Sequence, residues 1–397
     1  MASVAAQDFD PYSREVLADP YPFYALLREA GAVVRLPRWD IWALPRYREV
    51  HDALNDWQTF SSARGVGHDD FTKEKPWRPP SIVLEADPPL HTRTRGVLTR
   101  ILSPLAVRRL RETFQHEANI LVDRLVEQGT FDAAADLAEV YPLKVFPDAM
   151  GLPEQGRENL LPYGSMVFNG FGPRNDLFHA AIDGGDHVRS WIMNYCSGKN
   201  LADGGFGSQI FDAVATGELS ESEAGMLCRT FLSAGVDTTV GSIALAMLCF
   251  SRCPEQWQRL RERPGLVRNA FEEVLRYEAP FFQYFRTTTR RVTVAGTQIE
   301  EGQKVLMLVG SANRDPRHWD DPERFDITRK TIGHAAFSIG IHGCVGQMLA
   351  RLEGECILKA FLERAETIEP TGEPIPRFNN TMRLFNSIPL RVRRAAH

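Results

Sequence analysis

Apolar and polar positions along the chain follow two rhythms. Residues 20–30 open on prolines and then place Phe23, Tyr24, Leu26 and Leu27 at helical spacing, which predicts a short helix. Val33–Leu36 and Ile41–Leu44 flank Pro37-Arg38-Trp39-Asp40 and predict the two strands of a hairpin, with a helix following over 45–56. Residues 61–82 lose all periodicity and are rich in Gly, Pro and charge; a loop of that length inside a compact protein is usually functional or mobile. From about 105 to 280 the period is helical, with breaks at Gly129, Gly151-Leu152-Pro153, Gly170–Pro173 and Asp203–Gly207. Strand alternation returns over 291–308 around Gly296, and again over Leu384–Val392.

The strongest element runs from Ser220 to Cys253. Ser220 and Glu223 form a capping box, Pro254 marks the exit, and Met226–Phe250 is apolar on almost every side. This predicts one continuous, central, buried helix. No repeat, low-complexity tract or linker interrupts the chain. The expected fold is mainly α with small β-sheets to one side, as a single domain over residues 1–397.

Composition narrows the function classes. The 43% of hydrophobic residues supply a large core, and a net charge of −5 gives no overall pull toward nucleic acid or an anionic membrane. The six cysteines show no paired framework, which fits a reducing compartment; Cys249 and Cys253, four apart on one helix, read as packing rather than as half of a zinc site. The stretch Met1–Asp8 has neither a basic nor an apolar segment of the kind that directs export, and eighteen apolar residues never run together. The expected location is cytoplasmic, away from any membrane.

Chemistry concentrates in four places. In Phe337-Ser338-Ile339-Gly340-Ile341-His342-Gly343-Cys344-Val345-Gly346, a cysteine lies between glycines just ahead of a helical pattern that begins near Val345. A helix N-terminus favours thiolate over thiol, and glycines let backbone approach a flat, bulky partner. In Ala234-Gly235-Val236-Asp237-Thr238-Thr239 an acid sits inside an apolar helix, which is costly unless something uses it. His91 and Arg95 are four apart and share a helical face, and Glu273-Val274-Leu275-Arg276 is an i,i+3 ion pair.

Together these stretches resemble the cytochromes P-450. The cysteine segment is similar to their Phe-x-x-Gly-x-His/Arg-x-Cys-x-Gly haem signature, and the four motifs occur in the family's order across residues 91–346. The resemblance implies the cytochrome P-450 fold and haem b, with the Cys344 thiolate as axial iron ligand and Gly346 and Ala234 against the macrocycle. It places His91, Arg95, Arg286 and His342 at the propionates. It assigns Thr238 to holding oxygen and its water, and Asp237 to passing protons inward. Glu273 and Arg276, with Arg324, would form the Glu-Arg-Arg arrangement that supports the haem pocket. The implied reaction is insertion of one atom of O2 into a carbon–hydrogen bond. Electrons derived from NAD(P)H would arrive through a ferredoxin and a ferredoxin reductase, docking on a basic patch at Arg100, Arg108, Arg109 and Arg111.

Residues 73–89, 141–151 and 286–315 also resemble a bacterial subfamily that oxidises para-substituted benzoic acids, notably by O-demethylating 4-methoxybenzoate. The likeness implies that Arg78, Ser81, Arg229, Thr230 and Ser233 hold the carboxylate of a small aromatic acid. The apolar wall would be Leu84, Val167, Phe168, Phe171, Ala234, Phe281, Tyr284 and Met382. Three positions depart from the subfamily: Thr230 stands where serine is expected, Tyr284 where phenylalanine is, and Phe281 where a smaller aliphatic residue is. Phe281 is expected to narrow the space for a para substituent. A monooxygenase for an uncharged substrate such as a terpene or macrolide would keep every haem motif and leave Arg78 and Ser81 without a ligand. A haem-thiolate sensor would keep the cysteine loop and have no need of Asp237-Thr238.

Overall fold

The computed structural model describes residues 9–395, so the Met1–Asp8 stretch lies outside the described residues. The anticipated N-terminal hairpin forms between Val34–Leu36 and Ile41–Leu44, turning through Pro37–Trp39 with Asp40 left-handed at φ 53°. Ile41–Leu44 then runs parallel to Lys304–Met307, which pairs antiparallel with Tyr284–Thr288 and through it with Phe60–Ser61. This five-stranded sheet has its own apolar cluster around Leu36, Leu44, Phe285 and Leu306. Gly296 turns a two-stranded ribbon, Val292–Val294 with Thr297–Ile299. The C-terminal strand Pro389–Arg394 lies between Thr130–Asp132 and Ala365–Pro370.

Helices make up the rest. Those that position the site are α1 (Leu90–Ile101), α2 (Leu160–Asn169), α3 (Glu221–Ala234), α4 (Asp237–Arg252), α5 (Val267–Glu278) and α6 (Gln347–Arg364). The capping box at Ser220 and Glu223 is present on both sides. Residues 221–252 are long and apolar enough to cross a membrane, yet they lie mostly buried inside the molecule, as a core helix does.

The continuous helix expected from Ser220 to Cys253 is two helices, divided at Gly235-Val236. The cause is packing. The Phe146 ring sits so close that a Cβ on Gly235 would meet it at 2.2 Å. Val236 departs to φ −105°, ψ −65°, and the Thr238 hydroxyl takes the Ala234 carbonyl at 2.9 Å. Deep inside an apolar bundle, Ala234 is nevertheless exposed and Thr238 half-buried, because both open onto an internal cavity.

Candidate functional site

That cavity lies between α3–α4 and the loop that precedes α6. Cys344, Val345 and Gly346 form its floor, with Leu349 and Ala350 from the first turn of α6 beside them. The loop is pinned by the Cys344 N–H, which donates to the Phe337 carbonyl at 2.7 Å. Burial pushes the Cys344 thiol up, while the Gly346 and Gln347 N–H groups and the Arg95 and Arg351 guanidiniums oppose it. Those opposing donors and cations are surroundings suited to a metal-bound thiolate. A Cβ on Gly346 would lie 3.9 Å from that sulfur, on the cavity side.

Along one edge, cationic and hydrogen-bonding groups converge, and the nearby Asp87 carboxylate is already engaged by the Ser61 hydroxyl and the Ser62 N–H. His91 and Arg95 come from α1, Arg286 from the strand Tyr284–Thr288, and His342 from the cysteine loop. The His91 and His342 rings stand 4.5 Å apart, and the Nε2 of each is buried without a partner. Burial, then Arg286, His91 and Arg95, push His342 down to about 2. Arg286 has its own basicity lowered by burial, and Arg95 donates to the Gly343 carbonyl. Orphaned donors next to two arginines fit a pair of carboxylates, which is what haem b presents at its edge.

The acid-threonine pair divides its duties. Thr238 lines the cavity, whereas Asp237 is 3% exposed and lies against α2, where a Cβ on Gly164 would reach its Oδ2 at 1.6 Å. That Oδ2 has no partner, and burial raises the Asp237 carboxyl to about 7, Arg377 opposing the rise. Arg377 is itself paired with Glu139 at 2.7 Å in a half-exposed ion pair, so a titratable buried acid stands between the surface and Thr238.

Below the loop, Arg276 grips Glu273 through two hydrogen bonds of 2.7 and 2.8 Å, with neither side chain exposed. The third member is Arg329, which donates to Glu273 at 3.1 Å; Arg324, expected in that role, is exposed and contributes only its carbonyl. Arg329 comes three positions after Asp326, whose own N–H also donates to Glu273, so a tight turn selects the later arginine.

Seven of the eight residues expected to form the apolar wall line the cavity, Met382 being the exception. Phe281 stacks on Tyr284 (centroids 5.1 Å, 19°) and meets Phe168 edge-on at 5.4 Å, with Phe171 6.2 Å away. Leu84, Val167 and Ala234 complete it, while Met382 pairs its backbone with Phe281 and stays behind the wall. The polar end differs from expectation. Thr230 and Ser233 line the cavity, but Arg78, Ser81 and Arg229 stand behind them. Arg78 is held by Glu85 at 2.9 and 3.1 Å, and Arg229 donates to the Pro79 carbonyl at 2.7 Å. Ser81 Oγ shares a hydrogen bond with Thr230 Oγ1 at 2.9 Å. The five residues converge, but only the hydroxyls reach the space. Counting Arg78, Arg229 and Glu85, one net positive charge backs them.

Sequence reasoning passed over Glu353, which lines the cavity with both carboxylate oxygens buried and unpartnered, and whose acid form burial strongly favours. Its signal was a lone acid sharing a helical face with Leu349 and Cys356.

A family model described as Cytochrome P-450 matches residues 265–393. The chain is 54% identical to cytochrome p450 CYP199A2 of Rhodopseudomonas palustris, over 98% of its own length and 95% of that protein. It is 31% identical to the beta-dihydromenaquinone-9 omega-hydroxylase of Mycobacterium tuberculosis, covering 91% of this chain and 74% of that one. The solved structure of cytochrome P-450 CYP109Q5 from Chondromyces apiculatus matches with a TM-score of 0.83 at 31% identity, covering 99% of this chain and 100% of the other.

Proposed function

The chain belongs to the cytochrome P-450 family and is a haem-thiolate monooxygenase; from that premise we propose that its substrate is a para-substituted benzoic acid, O-demethylated when the substituent is methoxy. The observation that carries this reading is the end of the cavity lined by Thr230 and Ser233, facing an aromatic and aliphatic wall and backed by a net positive charge. Bound haem b supplies a thiolate-ligated iron that favours cleavage of the oxygen–oxygen bond. The protein's own residues do the rest. Cys344 would hold the iron, Arg95 and Arg286 would neutralise the propionates, and the buried His91 and His342 would hydrogen-bond them. Thr238, its hydroxyl facing the cavity, receives protons that Asp237 relays from the Arg377–Glu139 side. The Phe281, Phe168 and Phe171 rings, packed edge-on and tilted against one another, flank the aromatic substrate and keep water out.

Thr230 and Ser233 turn toward the substrate carboxylate, Ser81 supports Thr230 from behind through their shared hydrogen bond, and Arg229 with the Arg78–Glu85 pair acts through its field rather than by direct contact. The whole chain works as one haem-thiolate domain in the cytoplasm. Ferredoxin and a ferredoxin reductase deliver electrons from NAD(P)H to a face where Arg108 and Arg109 are exposed, Arg100 and Arg111 being paired with Glu218 and Glu355.

A neutral substrate is the competing reading, favoured by the neutralisation of Arg78 by Glu85. Optical titration of the ferric protein with 4-methoxybenzoate and with its methyl ester separates the two. A low-to-high-spin shift with the acid and little with the ester supports the benzoate reading; a shift with the ester alone, or with neither compound, overturns it.

A further inference from the structure

Tyr284 does more than wall the cavity. Its hydroxyl hydrogen-bonds Ser338 Oγ at 2.9 Å, joining the central sheet to the loop that presents Cys344. Ser338 is at φ 60°, ψ −179°, a backbone region that essentially only glycine occupies without strain. It directly follows Phe337, whose carbonyl accepts the Cys344 N–H at 2.7 Å. A strained residue thus sits at the hinge of the ligand loop, and the Tyr284 hydroxyl holds its side chain.

The ring bearing that hydroxyl is itself fixed. It is stacked on Phe281 at 5.1 Å, the Arg286 guanidinium lies 5.0 Å over it, and its residue is 4% exposed. Burial keeps the phenol protonated, so the hydroxyl remains a donor. Position 284 is also where the sequence departs from the phenylalanine expected there. A phenylalanine would leave Ser338 strained and unsupported, and a glycine at 338 would need no support.

We propose that Tyr284 is a positioning residue for the Cys344 thiolate: its hydrogen bond to Ser338 holds the ligand loop in the conformation that presents the sulfur. The claim rests on Cys344 ligation alone and is independent of the substrate.

The test compares haem-loaded wild type, Tyr284→Phe, Ser338→Gly and the double variant. The readouts are the decay of the thiolate-ligated ferrous carbonyl spectrum in mild denaturant and the midpoint potential of the iron. Loss of one intramolecular hydrogen bond predicts decay about fivefold faster in Tyr284→Phe, with a shifted potential. In the Ser338→Gly background the same substitution is expected to change neither readout. No change in Tyr284→Phe, or an equal change in both backgrounds, overturns the proposal. Should Tyr284→Phe alone fail to hold haem, recovery of loading in the double variant supports the clamp and continued failure refutes it.

Discussion

Substituting Asp237 by Asn tests whether the buried acid of the proposed relay is held neutral by the fold. The carboxyl is 3% exposed, its Oδ2 lacks a partner, and burial raises it from 3.8 to about 7. The sign of the linkage follows from that direction. Below the unfolded value both states are protonated and the group has no effect. As pH rises, the unfolded chain ionises first, so the group destabilises the fold progressively until the folded value is passed. Asparagine cannot ionise, so its stability relative to wild type should grow with pH. With 1.36 kcal/mol per unit, the gain between about pH 5.5 and about pH 8 is about 2 kcal/mol, nearly all of it below pH 7. Denaturant unfolding of both haem-loaded proteins across that range measures it. Turnover of Asp237→Asn should meanwhile fall by about a hundredfold or more. A stability difference that stays flat with pH would refute the reasoning, because Asp237 would then be ionised in the folded protein.

Other expectations follow from the same geometry. Glu273→Gln strips a fully buried arginine of its counter-charge and should cost about 3–5 kcal/mol, read as loss of stability and of haem-loaded yield. Glu85→Gln frees Arg78 and should tighten 4-methoxybenzoate binding by about tenfold while leaving the methyl ester unchanged, read from the ferric spin-shift titration. Phe281→Val should open the aromatic wall and raise kcat/KM for benzoates with bulkier para substituents over that for 4-methoxybenzoate, read by competition between the two substrates.

Legibility in the sequence tracked how local each feature is. The cysteine loop, the capping box at Ser220 and the hairpin around Pro37–Asp40 are written in neighbouring residues, and each is found where its pattern places it. The break at Gly235 was invisible because its cause, the Phe146 ring, is distant in the chain. The pairing of Arg78 was within reach, since Glu85 lies only seven residues on, but an irregular loop gives no period from which to infer it. Choosing Arg329 over Arg324 required the turn after Pro322. The Tyr284–Ser338 bond spans 54 residues and two unrelated elements, so the departure at position 284 was readable while its meaning was not.

The central claim is that this haem-thiolate monooxygenase acts on an aromatic acid through its para substituent. Its most direct test is turnover of 4-methoxybenzoate with a ferredoxin, a ferredoxin reductase and NADH, with products and peroxide both quantified. The account predicts 4-hydroxybenzoate and formaldehyde in equal amounts, accounting for most of the NADH consumed. NADH consumption that yields peroxide and no 4-hydroxybenzoate would contradict it.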